Sequence, residues 1–131
     1  MADVLVDTTI WIDFFRKSEG PEGDLLDELL DQNRALLCGV TEMEVYQGLK
    51  AEEREKVESA FRLLPYLDTT RADFVAAGTL WNRLRRRGIT LPATDCLIAA
   101  LCRSRGLRLF TSDRHFDAFA PAGLKRLRPP S

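Results

Sequence analysis

Residues 4–13 read VLVDTTIWID, and the rest of the chain follows from how they are taken. Val4, Leu5 and Val6 form an unbroken apolar run, as expected of a strand buried on both faces. Asp7 stops that run at once, and TTIWIDFFRK continues as a short helix. A carboxylate at the tip of a central strand has two readings. It caps the helix that comes next, or it holds a ligand in the crevice outside the strand ends, where open α/β sheets bind theirs.

The strand-then-helix pattern recurs along the chain. SEGPEG (18–23) reads as a turn, and Leu25, Leu26, Leu29 and Leu30 mark an apolar stripe on a second helix. ALLCGV (35–40) is a buried strand, TEMEVYQGL (41–49) a helix, and EEREKVESAFRLL (52–64) a charged amphipathic helix stopped by Pro65. After the short apolar piece YLDT, a long helix runs from Arg71 to Arg87 and ends at Gly88; another runs from Ala93 to Arg105 and ends at Gly106. LRLFT (107–111) is a strand, DRHFDAF a short turn or helix, and LKRL a last edge strand. Strands alternating with helices predict a mostly parallel sheet flanked by helices, an α/β fold. No repeat or linker divides it, so 1–131 is expected to be one domain.

Composition narrows the function classes. A chain of 131 residues can bury a core of its own. Cys38, Cys96 and Cys102 lack CxxC spacing and sit in apolar stretches, so buried free thiols are expected, not a disulfide framework or a zinc site. The absence of Walker A, GxGxxG and GxSxG patterns disfavours a nucleotide cofactor and a nucleophilic triad. The lone histidine, His115 beside Arg114, reads as a surface or turn residue. No apolar run is long enough for a bilayer and no signal peptide is visible, so the expectation is a cytoplasmic protein without a membrane partner. The net charge of −1 hides an asymmetry: residues 1–68 carry 7 Lys/Arg against 16 Asp/Glu, and residues 69–131 carry 12 against 4. Either helix faces simply attract one another, or a basic surface steers a polyanion towards an acidic pocket.

Four acids share one address in this reading. Asp7 follows the first strand, Glu44 lies in the first turn of the helix after the second, Asp95 opens a helix, and Asp113 follows LRLFT. Each also has a local explanation. Asp7 caps a helix, and Thr41–Glu44 matches a capping box. Asp95 complements a helix dipole, and Asp113 forms an Asx-turn. Those explanations leave unexplained why four acids share one rim, where their repulsion costs stability unless a cation sits among them. Oxygen ligands suit magnesium, or manganese in its place.

VLVDTTIWID, TEMEVYQG, LPATDCLIAAL and LFTSDRHF resemble, in order and spacing, the four motif blocks of the PIN-domain ribonucleases, most closely the VapC-type toxins of toxin–antitoxin pairs. The likeness runs from Asp3 to about Leu127. It implies a PIN-like three-layer sandwich, with Asp7 and Asp95 as central magnesium ligands and Glu44 and Asp113 completing the set. It also implies Thr111 as the hydroxyl orienting the fourth acid, Thr9 where Ser or Asn is usual, and Asp117 as an acid further out. The activity implied is metal-dependent endonucleolysis of RNA, with a cognate antitoxin as partner and a homodimer as assembly. Phosphate contacts are expected from the Arg-rich half, represented by Arg85, Arg86, Arg105 and Arg114. Two alternatives stand beside this reading: a phosphoacceptor receiver-like domain, although an adjacent acid pair after the first strand is missing, and a catalytically silent PIN-like binding module.

Overall fold

Short apolar runs build the middle of a parallel sheet. The structure, a computed structural model, describes residues 2–17 and 19–130. Ser18, in the expected SEGPEG turn, and the terminal residues Met1 and Ser131 lie outside the described residues. β1 (Val4–Val6) is central and pairs with β2 (Ala35–Cys38) on one side and β4 (Arg108–Phe110) on the other. β3 (Tyr66–Leu67) and β5 (Lys125–Leu127) form the edges, so the order is β3-β2-β1-β4-β5 with every pair parallel. A receiver domain follows the order β2-β1-β3-β4-β5. That alternative therefore fails on topology.

The pleat sends alternate side chains to opposite faces. Leu5, Leu36 and Leu109 join one buried cluster, while Val4, Val6, Leu37 and Phe110 join the other. Helices α1 (Thr8–Arg16), α2 (Pro21–Asp31), α3 (Gly39–Gln47) and α4 (Arg54–Phe61) supply Trp11, Leu26, Val45 and Phe61 to the second cluster. Helices α5 (Arg71–Arg86) and α6 (Ala93–Arg105) cover the first face with Leu80, Leu84, Ile98 and Leu101. The result is helix, sheet, helix. Truncating a core side chain such as Leu109, which is fully buried, costs about 2–5 kcal/mol.

Several boundaries move from their expected places. Strand β2 ends at Cys38, and α3 starts at Gly39, two residues before TEMEVYQGL. The Thr41 hydroxyl accepts the Cys38 N–H at 3.4 Å and donates to the Cys38 carbonyl at 3.0 Å, which pins this earlier start. Helix α4 is shorter than expected. A 3₁₀ turn over Ala51–Glu53 precedes it, and it ends at Phe61. YLDT supplies β3, and DRHFDAF becomes part of a 3₁₀ run over Arg114–Ala122. No helix among the described residues is long and apolar enough to cross a membrane.

Two features of this layout place the acids and arginines singled out in the sequence. The chain leaves β1 for β2 on one side and returns to β4 on the other, so the β1–β4 crevice is the topological switch point, where such sheets bind ligands. Arg105 at the end of α6 also bonds to Asp73 at the start of α5, so the two helices run antiparallel. The basic end of α5 therefore lies at the same rim as the start of α6, and the basic end of α6 lies at the opposite rim.

Candidate metal centre

The switch point is built from two strand tips and two helices. The Asp7 N–H donates to the Phe110 carbonyl at 2.9 Å, which ties the tip of β1 to that of β4. Asp7 occupies the N-cap position of α1 but makes no side-chain capping bond. Its Oδ2 instead accepts the Thr111 hydroxyl at 2.7 Å and the Thr9 hydroxyl at 3.2 Å. Burial pushes the Asp7 carboxyl above its ordinary range, and the Thr111 hydroxyl opposes that push. The Thr111 oxygen also accepts the Asp113 N–H at 3.0 Å, so one hydroxyl holds two of the acids in register.

Glu44 sits in the second turn of α3 and not the first, because the helix begins earlier than the sequence suggests. The expected capping box with Thr41 does not form; Cys38 and Thr41 bond each other instead. Glu44 Oε1 accepts the Thr8 hydroxyl at 3.1 Å, across the gap from α1. Burial raises its carboxyl, and the nearby charge of Asp7 raises it further.

Asp95 is the third residue of α6, after Pro92 at the N-cap. It is 9% exposed, and no described residue donates a hydrogen bond to its carboxylate. Its pKa is pushed up to about 6, first by burial and then by the charges of Asp113, Asp7 and Glu44. The charges of the other three acids thus all act on Asp95. Asp113 accepts the His115 N–H at 2.9 Å, so the Asx-turn reading holds alongside membership of the rim.

Other residues fall elsewhere. Asp117 is paired with Arg126 and with Arg128, at 3.4 Å from the latter, and is not among the charges acting on Asp95. Its effect on the rim is indirect: Arg126, largely buried, also donates to the Thr111 carbonyl at 3.0 Å. Arg114 is exposed beside a pocket of about 270 Å³ that Thr111 and Ser112 help to line. Arg85 stacks over Trp81, its guanidinium carbon 5.5 Å from the ring centre, and with Arg86 ends α5 at the acid rim. Arg105 does not belong with them. It lies ten residues along α6 from Asp95, about 15 Å at the helical rise. Its guanidinium is committed to both oxygens of Asp73, at 2.7 and 2.8 Å, and to the Asp68 carbonyl. These bonds make it half of an ion pair that ties the end of α6 to the start of α5.

Sequence reasoning misses Thr8 and Arg126. Thr8 adjoins Asp7. His115 is exposed in the turn after Asp113, as expected of a surface or turn residue. Nothing local marks Arg126, whose role depends on the β4–β5 pairing.

The donor set is chemically suited to a hard divalent cation. It consists of carboxylates, of which Asp7, Glu44 and Asp95 are raised in pKa first by burial and then by neighbouring negative charge, and Asp95 is buried without a donor among the described residues. Such an arrangement is relieved by a proton or by a cation.

Comparison with known proteins agrees with this geometry. Residues 4–121 match the PIN-domain family. Ribonuclease VapC11 of Mycobacterium tuberculosis is 33% identical over 122 residues, covering 89% of this chain and 91% of that protein. Ribonuclease VapC1 of Methanocaldococcus jannaschii is 26% identical over 126 residues, covering 93% and 85%. Among solved structures, VapBC2 from Rickettsia felis, bound to a DNA fragment from its promoter, superposes with a TM-score of 0.81 at 18% identity over 97% of this chain and 98% of that one. The chain belongs to the PIN-domain family, on the branch of the VapC ribonucleases.

Proposed function

We propose that the chain is a magnesium-dependent endoribonuclease toxin, acting as one domain in the cytoplasm and restrained by a cognate antitoxin. The observation that carries this is the meeting of Asp7, Glu44, Asp95 and Asp113 at the switch point of a VapC-family sheet. A bound magnesium, with manganese as a substitute, supplies the positive charge that offsets a phosphodiester and acidifies the attacking water. Asp7 and Asp95 hold the cation. Glu44 and Asp113 complete the cluster, and Glu44, its carboxyl raised by burial and by the charge of Asp7, is placed to take up a proton. Thr9 and Thr111 keep the Asp7 carboxylate in one orientation through the hydroxyl bonds at its Oδ2.

Arg85, Arg86 and Arg114 are the phosphate contacts of this reading, at the rim the acids occupy. Arg105 is withdrawn from that role by its pairing with Asp73. Asp117 serves by fixing Arg126 and so the Thr111 backbone.

An antitoxin partner is supported by the solved VapBC structures that share the fold. The apolar stretches Leu25–Leu30 and Phe61–Leu64 are mostly core, because Leu26, Leu29 and Phe61 are buried. Leu63, 83% exposed, is the apolar side chain of that region left free for a partner. A homodimer is part of the same reading, and the exposed Phe74 and Val75 give α5 an apolar outer face.

Brief induction in cells followed by mapping of new RNA 5′ ends tests the nuclease, with Asp95→Asn as control. New ends with the parent and none with the variant are expected. Equal patterns from the two would overturn the nuclease and favour a silent binding module. Co-expression with the adjacent upstream reading frame should suppress the cuts; no binding and no suppression would remove the antitoxin alone.

A further inference from the structure

The acid rim is not made of oxygen alone. The Asp113 carboxylate accepts the backbone N–H of His115 at 2.9 Å, which turns the chain back on itself. The imidazole then stands over the same carboxylate, with Nδ1 3.4 Å from Oδ1. One ligand atom from each of Asp95, Asp113 and His115 lies within 4.8 Å of the other two, a spacing that one cation can bridge. Asp95, nine-tenths buried and without a hydrogen-bond donor among the described residues, is aimed into this triangle. No Lys or Arg is among the charges that act on its carboxylate.

We propose that Asp95, Asp113 and His115 form a mixed nitrogen–oxygen position for a first-row transition cation, and that His115 sets its preference over magnesium. The proposal rests on the cation-dependent reading above and makes it specific. Magnesium takes oxygen ligands in a strict octahedron and keeps its waters, so it gains little from an imidazole. Transition cations accept imidazole readily, with affinity rising from manganese through cobalt. Two carboxylates and one imidazole also leave coordination positions open, as a substrate-binding site requires. His115 is 63% exposed at its side chain, so it can swing the short distance to a ligand without disturbing the core. The three cysteines are buried and do not compete for the added metal.

The competing account is a plain ion pair between His115 and Asp113. The two accounts differ in how they treat different cations. Removing a nitrogen ligand weakens transition cations selectively. Removing an ion-pair partner frees Asp113 for every cation alike.

The experiment is direct binding to the full chain, with no RNA present. Cobalt is titrated by its visible absorption, manganese by its spin-resonance signal and magnesium by calorimetry, for the parent, His115→Ala and His115→Gln. The parent should bind cobalt more tightly than magnesium. Both variants should lose about tenfold or more of the cobalt affinity, with a changed absorption band, a smaller part of the manganese affinity and almost none of the magnesium affinity. An unchanged cobalt affinity and spectrum in His115→Ala, or an equal change for cobalt and magnesium, overturns the proposal and leaves the nuclease reading standing. A parent that binds none of the three cations overturns both.

Discussion

Asp73 and Asp95 occupy the same place in two adjacent helices, and they are treated in opposite ways. Each is the third residue of its helix, and they are only 5% and 9% exposed. Asp73 is surrounded by donors: the Thr70 N–H and hydroxyl at 2.7 and 3.0 Å and both arms of Arg105. Its carboxyl is held far below the usual range, chiefly by the Arg105 hydrogen bonds. Asp95 follows Pro92, whose side chain offers no capping bond, and it faces three other acids. Its carboxyl is pushed up to about 6. Position in a helix therefore says little about a carboxylate; the partners that the fold brings to it say nearly everything. A satisfied acid is part of the frame, and a deprived one waits for a ligand.

The sharpest way to break this comparison is to exchange each acid for its amide. Asp95→Asn should lower RNA cleavage by at least about a thousandfold, the several kcal/mol of cation-borne stabilisation converted to a rate. The same change should firm the fold by roughly 1 kcal/mol, since a repelled charge at an open rim is removed. Asp73→Asn should do the reverse. It should cost about 2 kcal/mol by leaving Arg105 without its charge partner, and cleavage per folded molecule should be unaltered. Denaturant melts and single-turnover cleavage of the two variants give the four numbers. Comparable cleavage by Asp95→Asn and the parent would sink the distinction.

Next in size is the response to cations and pH. The Asp95 carboxyl titrates near 3.8 in the unfolded chain and about 6 in the folded one. Between those values the folded protein holds a proton that the unfolded chain has released. The stability this gives is complete below the lower value and is lost as pH rises through the upper. Melting in chelator should therefore show this contribution falling from pH 4 to 7. Magnesium at about a hundred times its dissociation constant should restore about 2.7 kcal/mol at neutral pH. An equal ionic strength of sodium should not. Asp95→Asn should flatten the slope in that window, whereas Asp73, held low, acts only at more acidic pH.

The two basic helix ends extend the comparison to substrate. The ends of α5 and α6 look alike in sequence, and the antiparallel pairing separates them. Arg85→Gln with Arg86→Gln should weaken RNA binding and reduce the salt slope by about 1.4 for two lost single-strand phosphate contacts. Arg103→Gln, at the far rim, should leave both unchanged. Equal slopes in the parent and the double variant would return Arg85 and Arg86 to ordinary solvated positions.

How far the sequence reaches is set by the same contrast. The βα alternation and the four acids can be read because apolar runs and strand-end carboxylates are local patterns. The start of α3 cannot be, since a Thr41–Cys38 bond competes with the Thr41–Glu44 box and both fit the string. The pairing of Arg105 is hidden for a different reason. Its partner lies 32 residues away on α5, and charge patterning cannot tell which end of a helix faces the rim. His115 reads correctly as a turn residue, but its imidazole comes beside the Asp113 carboxylate only once the turn folds it back.

The smallest effect is expected at the hydroxyls that hold Asp7, an acid that stands between the two extremes. It is buried like Asp73 and belongs to the acid rim like Asp95, and it is partly satisfied, by two hydroxyls and no cationic side chain. Burial raises its carboxyl while the hydroxyls lower it. Removing a hydroxyl should therefore raise it further, which favours the proton as the cation's competitor. The Thr111 bond is the shorter, at 2.7 against 3.2 Å, so Thr111→Val should weaken magnesium binding at pH 6 by about tenfold and Thr9→Ala by about threefold or less, in line with hydrogen bonds to a charged group. Both deficits should shrink as pH rises towards 8, because the competing proton leaves in either protein. A deficit independent of pH would mean that the hydroxyls only aim the carboxylate, and Asp7 would then belong with Asp73 as a framed acid and not with Asp95.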